Sequence, residues 1–199
     1  MPFTATGEDK FEWFMENPNQ NKFKELVLSR MIKYYKQGLN TFIHHTAVIY
    51  DDVRIGDNCF IGPYCIIGAP PEWKGREKNG KGVIIGNDTR ITGHITIDSG
   101  AEDCTIVGDN CYIMKGVHIG HDCQIQDNVT ISCHALIGGH VIVEQDCNLG
   151  LGCIIHQKQI IPSGCMIGMG TVVTKKTEMQ PNSKYVGNPA RYLSPNIKP

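Results

Sequence analysis

The sequence predicts an all-β solenoid, a parallel β-helix of hexapeptide repeats, from two regular columns of residues and the places where they stop. In the first column, isoleucine, valine or leucine falls on every sixth residue for twelve consecutive positions, from Val107 to Val173. The same six-residue spacing occurs earlier, over residues 43–67 and 85–97. A period of six fits neither an α-helix nor a coiled coil, but it suits a β-helix in which each flat face takes six residues.

The second column lies four residues after each aliphatic residue and carries small or β-branched side chains. Seven of the nine cysteines fall in it, at positions 59, 65, 111, 123, 147, 153 and 165. Free cysteine packs as a small hydrophobe, and an odd total without a CxxC pair argues against a disulfide framework. We therefore expect these thiols to serve packing, and so many unpaired thiols favour a reducing, cytoplasmic location.

Composition indicates one soluble globular domain. The chain has 199 residues, of which 41% are hydrophobic and 20% charged, with a formal net charge of -1. This balance gives no electrostatic attraction to nucleic acid or to a membrane surface, and no apolar stretch approaches membrane-spanning length. We expect neither partner.

The repeat divides the chain into three segments. Residues 1–40 have helical spacing, for example from Phe23 to Tyr34, and are predicted to form a helical cap over the open end of the solenoid. Residues 41–175 form the β-helix, and residues 176–199 form an exit segment. A four-residue break also interrupts the repeat around residues 100–104.

A longer break, the loop at residues 69–82, reads APPEWKGREKNGKG. Its tryptophan, Trp73, is surrounded by lysine, arginine and glutamate. Long ordered loops are often functional, and an aromatic among cations suits a phosphate-bearing ligand with a flat ring. A charged loop that is simply exposed to solvent, without a binding role, fits the same composition equally well.

Three faces of six residues make a coil of eighteen, so residues eighteen apart stack on adjacent rungs, about 4.8 Å apart. His121 then lies in one column with Gly139 and Gln157, and Asp122 lies in the next column with His140. His118 and His156 belong to the same strip of the surface. The coil length therefore predicts a cluster of histidines along one strip.

Such a strip suits acyl transfer, which needs a base for the incoming nucleophile and a donor for the oxyanion. His121 can be the base, and the backbone N–H of Gly139 is placed one rung away as the oxyanion donor. Glycine lets a thioester carbonyl approach closely. Asp122 or a neighbouring carbonyl can set the tautomer of the imidazole.

The stretch IMKGVHIGHDCQIQDNVTISCHALIGGHVIVEQDCNLGLGCIIHQ resembles the core of the UDP-N-acetylglucosamine O-acyltransferases of lipid A synthesis, in which HxxHD, GH and HQ carry the active site. The resemblance implies a left-handed β-helix and a homotrimer with active sites between subunits. It implies that His121 is the catalytic base and Gly139 the oxyanion donor, with Asp122 beside them. It further implies substrate-binding roles for the remaining matched residues, namely His118, His140, His156, Gln157, Glu72, Trp73 and Lys74.

The C-terminal exit resembles a different group. VVTKK followed by VGNPAR is similar to the ending of hexapeptide acetyltransferases, in which the last coil and exit loop line acetyl-CoA. By this resemblance Lys175, Lys176 and Arg191 bind the phosphates of coenzyme A. We therefore expect an acetyl-CoA-dependent transferase that acetylates a nucleotide-linked sugar, most simply at an amine, without a metal. The alternative from the same family is a sugar O-acyltransferase of the lipid A type.

Two other classes compete with these. A zinc enzyme of the γ-carbonic anhydrase type would use three histidines, although the spacing of His118 and His121 does not resemble that family's. A non-catalytic β-helix scaffold is the other alternative. The identities of the sugar and of its nucleotide stay open.

Overall fold

The structure, a computed structural model, describes residues 36–76, 80–175 and 177–197, and within these ranges it shows a solenoid of short strands and no helix. The helical spacing predicted before residue 36 lies outside the described residues. Strand pairing begins with β1 (Lys36–Gln37), which pairs with β4 (Val53–Ile55) and so extends the solenoid into the segment predicted as the cap.

The described strands wind into three sheets that form the flat faces of the solenoid. Sheet 1 contains β1, β4, β7 (Val83–Ile85), β10 (Thr105–Val107), β13 (Gln124–Ile125), β16 (Ile142–Val143) and β19 (Ile160–Ile161). Sheet 2 contains β2 (Phe42–Ile43), β5 (Phe60–Ile61), β8 (Arg90–Ile91), β11 (Tyr112–Ile113), β14 (Thr130–Ile131), β17 (Asn148–Leu149), β20 (Met166–Ile167), β22 (Ser183–Val186) and β23 (Arg191–Pro195). Sheet 3 contains β3 (Val48–Ile49), β6 (Ile66–Ala69), β9 (Thr96–Asp98), β12 (His118–Ile119), β15 (Leu136–Ile137), β18 (Ile154–Ile155) and β21 (Val172–Val173).

Neighbouring strands of the solenoid are parallel and follow the predicted register. His118 pairs with Leu136, and Leu136 pairs with Ile154, so each coil takes eighteen residues. The sequence separation between paired residues is longer at the two predicted breaks, where Ile55 pairs with Ile85 and Ile85 pairs with Val107. The breaks are therefore extra residues expelled between strands, and the coils on either side stay aligned.

The aliphatic column points inward and fills the core, where Ile113, Ile131 and Leu149 are fully buried. The seven cysteines of the second column are buried as free thiols, as predicted. Burial raises the pKa of the Cys123 and Cys153 thiols to about 12, so both stay protonated. Cys123 Sγ also donates a hydrogen bond to a backbone carbonyl of the next coil, at 3.1 Å. The cysteines thus pack the corners of the solenoid.

The exit segment covers the C-terminal end of the core. β22 adds to sheet 2 beside β20, and β23 folds back against β22 in the antiparallel sense. Tyr185 closes the last coil: its ring is buried and its hydroxyl accepts the Gln180 N–H at 2.7 Å. The described part of the chain contains no helix long and apolar enough to span a bilayer.

Candidate active site

The histidine strip lies along one edge of the solenoid, where the chain turns from sheet 3 into sheet 1. We call this the site edge. It is built from the turns that follow β12, β15 and β18 on three successive coils. The His140 N–H donates to the His121 carbonyl at 2.8 Å, and the Lys158 N–H donates to the Gly139 carbonyl at 2.9 Å. These bonds hold the three turns in the predicted columns.

His121 and Asp122 form a hydrogen-bonded pair within one turn. Nδ1 of His121 lies 2.7 Å from Oδ2 of Asp122, and both side chains are largely buried. Asp122 occupies the turn with a positive φ of 58°. Because a carboxylate only accepts, the proton of a neutral imidazole lies on Nδ1 and the lone pair on Nε2. The pair therefore presents Nε2 as a base.

The four-residue break provides the other partners of Asp122. Oδ1 accepts hydrogen bonds from the Glu102 and Asp103 N–H groups at 2.8 Å, and the Ala101 N–H lies 3.1 Å from both oxygens. Burial alone raises the pKa of Asp122, but bonds from Asp103, His121, Glu102 and Ala101 outweigh it and lower the pKa to about 2. Asp122 is thus a stable anion at neutral pH.

Gly139 lies directly against the imidazole of His121. A Cβ at position 139 would lie 2.6 Å from both Cε1 and Nε2 of His121, so only glycine leaves room for the ring. The Gly139 residue is buried, and its N–H finds no hydrogen-bond acceptor among the described residues. A buried, unpaired N–H beside the lone pair of a base is available to an oxyanion.

The other three histidines have different surroundings. His140 packs edge-on against His121, and its Nε2 is buried without a hydrogen bond, 3.7 Å from Asp122 Oδ2. His118 contacts Thr96 Oγ1 through Nδ1 at 2.8 Å. His156 is exposed, and its Nδ1 lies 2.8 Å from the Gln157 carbonyl oxygen. His140 alone of the three lies against His121.

The described part of the loop at 69–82 follows β6, two coils before His121, and reaches the site edge. Trp73 stacks on His121, with ring centroids 5.2 Å apart and planes at 27°, and meets His140 edge-on at 5.6 Å. The Arg76 guanidinium also lies over the Trp73 ring, 5.2 Å from its centroid, and is 3.8 Å from the Glu102 carboxylate. The two breaks in the repeat therefore meet above the His121–Asp122 pair.

A cavity of about 310 Å³ opens between the loop and the site edge. Its lining residues are Glu72, Trp73, Lys74, His121, His140, Gln157 and Lys158. The predicted substrate residues His118 and His156 are not among them. Lys158 adds to the predicted site residues, and it stands in the eighteen-residue column of Asp122 and His140. The column is the signal that identifies it from sequence.

The exit residues predicted to bind coenzyme A are more dispersed. Lys175 is exposed, one rung beyond Gln157 in the column of His121, while Lys176 lies outside the described residues. Arg191 is exposed and lines a second cavity of about 430 Å³ with Thr174 and Tyr192 at the C-terminal end. The structure does not bring Lys175 and Arg191 into one cavity.

His121, Asp122 and His140 each place one potential metal ligand atom within 4.8 Å of the others. Two ligands of one zinc ion lie about 3.3 Å apart, because each is about 2.1 Å from the metal in tetrahedral geometry. The 2.7 Å contact between His121 and Asp122 is shorter and is that of a hydrogen bond. The arrangement fits a charge-assisted pair better than a coordination shell.

Two models of known protein families match the hexapeptide repeat of this chain. A model described as bacterial transferase hexapeptide (six repeats) covers residues 40–69 and 104–139. A second, described as hexapeptide repeat of succinyl-transferase, covers residues 140–175. Together they span about half of the chain, and both lie within the predicted β-helix.

Individual relatives carry acyltransferase names. The acyl-[acyl-carrier-protein]–UDP-N-acetylglucosamine O-acyltransferase of Thermodesulfovibrio yellowstonii is 37% identical over 112 residues, which are 55% of this chain and 43% of that protein. The chain spans about half the length of the curated relatives it matches. Among solved structures, the UDP-N-acetylglucosamine acyltransferase of Campylobacter jejuni aligns with a TM-score of 0.75 and 32% identity, over 80% of this chain and 62% of that one.

A more distant structure shares the fold alone. It is a mutant of perosamine N-acetyltransferase from Caulobacter crescentus, in complex with CoA and GDP-perosamine, with 18% identity and a TM-score of 0.55 over 78% of this chain and 57% of that one. The predicted fold is confirmed, and the chain belongs to the hexapeptide-repeat proteins with a left-handed β-helix, with a core similar to that of the UDP-N-acetylglucosamine acyltransferases.

Proposed function

We propose that the protein transfers an acyl group from a thioester to a nucleotide-linked sugar. The observation that carries this proposal is the combination at the site edge of an oriented base with an unpaired N–H. His121 Nε2 is free because Nδ1 is bonded to Asp122, and Gly139 offers its N–H immediately beside the ring.

The mechanism follows from these groups. His121 Nε2 takes the proton of the acceptor hydroxyl as its oxygen attacks the thioester carbonyl, and the imidazolium formed is stabilised by anionic Asp122. The carbonyl oxygen becomes negative and accepts a hydrogen bond from the Gly139 N–H. When the carbon–sulfur bond breaks, His121 returns the proton to the leaving thiolate. The base is thereby regenerated.

The acceptor group is better proposed as a hydroxyl than as the amine favoured by sequence. The curated relatives are named O-acyltransferases of UDP-N-acetylglucosamine. An unprotonated amine attacks a thioester without a base, whereas a hydroxyl must be deprotonated from the start. A base fixed by a buried anion is thus of greater use to a hydroxyl acceptor, and we propose O-acyl transfer as the primary function.

The acyl donor has two candidates. The names of the curated relatives favour an acyl group carried on acyl carrier protein. The exit segment resembles that of acetyl-CoA enzymes, and exposed Lys175 and Arg191 supply cations suited to phosphates. Both donors are thioesters with a phosphopantetheine arm, so the chemistry at His121 is the same for each.

The nucleotide sugar would bind beneath the loop at 69–82. The cavity there offers the indole of Trp73 for stacking and the ammonium groups of Lys74 and Lys158 for a diphosphate. Glu72 and Gln157 add polar groups suited to sugar hydroxyls. This division of the cavity matches the chemistry of a nucleotide-linked sugar.

A direct assay tests the proposal. Purified protein is incubated with UDP-N-acetylglucosamine and either an acyl-acyl carrier protein or acetyl-CoA, and the product is identified by mass spectrometry. We expect an O-acylated sugar nucleotide, and His121→Ala should lower kcat by at least about 100-fold because the base is removed. Tyr112→Ala on sheet 2, far from the site edge, serves as a matched control. Full activity of the His121→Ala variant would contradict the assignment.

A zinc enzyme is the second candidate, because His121, Asp122 and His140 form a candidate ligand set. Treatment with a chelator followed by metal analysis separates the two. The acyltransferase keeps its activity after chelation, whereas a zinc enzyme loses it and recovers when zinc is added back.

A further inference from the structure

A second carboxylate–imidazole contact lies beside the first. Asp98 ends β9 on the coil before His118, and its side chain is only 6% exposed. Its Oδ2 is buried without a hydrogen bond, 3.9 Å from Nε2 of His118. The backbone N–H of Glu72, in the loop at 69–82, interacts with the same carboxylate. Asp98 thus stands between the loop and the histidine strip.

His118 is held between two groups of the preceding coil. Its Nδ1 lies 2.8 Å from Thr96 Oγ1, and its Nε2 faces Asp98. Since a threonine hydroxyl can donate to Nδ1, the ring proton then lies on Nε2 and points toward the carboxylate. Both ring nitrogens are therefore directed at protein groups, which leaves neither for a direct hydrogen bond to a sugar.

The ionised Asp98 side chain lowers the free energy of unfolding. Burial raises the pKa of its carboxyl, and the negative charge of Glu72 adds to the rise, against lowering by His118, the Glu72 N–H and His121. A raised folded-state pKa means that the stability present at low pH is lost as the pH rises and the group ionises. A buried polar group kept at such a cost is a candidate for function.

We propose that Asp98 is a positioning residue of the acyl-transfer site, which holds His118 through Nε2–H and ties it to the loop that covers the acceptor sugar. This inference rests on the proposed function. Asp98 contacts both His118, at 3.9 Å, and Glu72, which lines the cavity proposed for the acceptor, and so couples the histidine to that cavity. Asp98 therefore governs acceptor affinity more than the chemical step.

The test compares Asp98→Asn and Asp98→Ala with the wild-type protein, with UDP-N-acetylglucosamine as the probe. Loss of the negative charge that faces His118 predicts a rise of about tenfold or more in KM or Kd for the probe, with kcat changed less. Asp98→Asn should at the same time melt at an equal or higher temperature, because a buried charge is removed. A parallel fall in affinity and melting temperature would indicate simple loss of structure and overturn the proposal, as would an unchanged KM.

A second readout needs no turnover. The ring nitrogens of His118, followed by NMR, should show a single Nε2–H tautomer in the wild-type protein and a mixture in Asp98→Asn. An unchanged tautomer in the variant overturns the pairing even if the enzyme is active. If the wild-type protein fails to acylate the sugar, the proposed function fails, while the tautomer still decides the role of Asp98.

Asp88→Asn is the matched control. Asp88 lies at a positive-φ turn position on another edge of the solenoid, where Asn58 and Asn110 occupy the equivalent places on adjacent coils. The same chemical change there should leave KM, melting temperature and the His118 signals unaltered.

Discussion

Asp122 and Gly139 show how single residues decide the chemistry of the site edge. Three consecutive N–H groups and one imidazole surround the Asp122 carboxylate, and together they outweigh the cost of burying it. Gly139 contributes because it has no side chain, since any Cβ would occupy the space of the His121 ring. The charge and the space are both needed before His121 can act as an oriented base.

The lowered pKa of Asp122 predicts a pH-dependent stability. The shift from 3.8 to about 2 corresponds to about 2 kcal/mol of stability at neutral pH. This contribution is present above the ordinary pKa and is lost as the pH falls through about 2. Asp122→Asn should therefore unfold about 2 kcal/mol more easily at pH 7 in urea, with a difference that shrinks below pH 4.

The same variant tests the role of the charge in catalysis. An asparagine can donate to Nδ1 and so favour the other tautomer, and we expect kcat to fall by about 100-fold or more. A stability difference that is independent of pH between 7 and 2 would show that the carboxylate is not the source.

At the scale of elements, the interruptions of the repeat assemble the site. The four-residue break supplies the amides that hold Asp122, and the loop at 69–82 lays Trp73 on His121. The two also contact each other, through the Lys81 N–H and Gly100 carbonyl at 2.8 Å and between Arg76 and Glu102. The exposed Arg76–Glu102 pair adds little energy by itself, so the backbone bond carries most of the contact.

Deletion of residues 100–103 separates folding from activity. It restores the six-residue spacing between Ile97 and the strand at Val107, so the strands should pair and circular dichroism should stay that of a β-helix. Asp122 loses its three amides, and acyl transfer should fall by about 100-fold or more. Combined with Asp122→Asn, the deletion should add little further loss, because both changes act on one group. Full activity of the deletion variant would contradict the role of the break.

At the scale of the molecule, the outer surface of sheet 3 carries a row of exposed aliphatic side chains. The exposed members are Val48, Ile66, Leu136 and Ile154, at 39–52% exposure. They form two stacked pairs, Val48 with Ile66 and Leu136 with Ile154, and Thr96 and His118 lie between the pairs on the same sheet. Exposed apolar side chains stacked in this way mark an interaction surface, and we propose that this face packs against further copies of the chain in a homotrimer, as the family resemblance implies.

Replacement of Ile154 by Glu tests the homotrimer. A charge placed in this row should dissociate the assembly to monomers in light-scattering measurements, and activity should fall with it if active sites lie between subunits. Tyr112→Glu, with a similar exposure of 40% on sheet 2, should change neither. A trimer that survives Ile154→Glu would place the interface on another face.

Sequence predicts some features of the site and not others, for a physical reason. The column of His121, Gly139 and Gln157 follows from coil length alone, because the coils in that region are unbroken. The same spacing does not place Thr96 and Asp98 beside His118, since the extra residues after Ile97 lengthen the separation of Thr96 and His118 to 22 residues. Lys158 stands in a predicted column, but the column alone assigns no chemistry to a lysine.

By itself, the sequence determined the solenoid, its coil of eighteen, the burial of seven cysteines and the strip of histidines, because a β-helix converts regular spacing directly into stacked position. Only the tertiary structure decided what the irregular segments do. The amides at residues 101–103, the stacking of Trp73 on His121 and the burial of Asp98 depend on where expelled residues fold back, which no periodicity records. The regular coils place His121, Asp122 and Gly139, and the breaks between coils supply the amides that hold Asp122 and the tryptophan that covers His121.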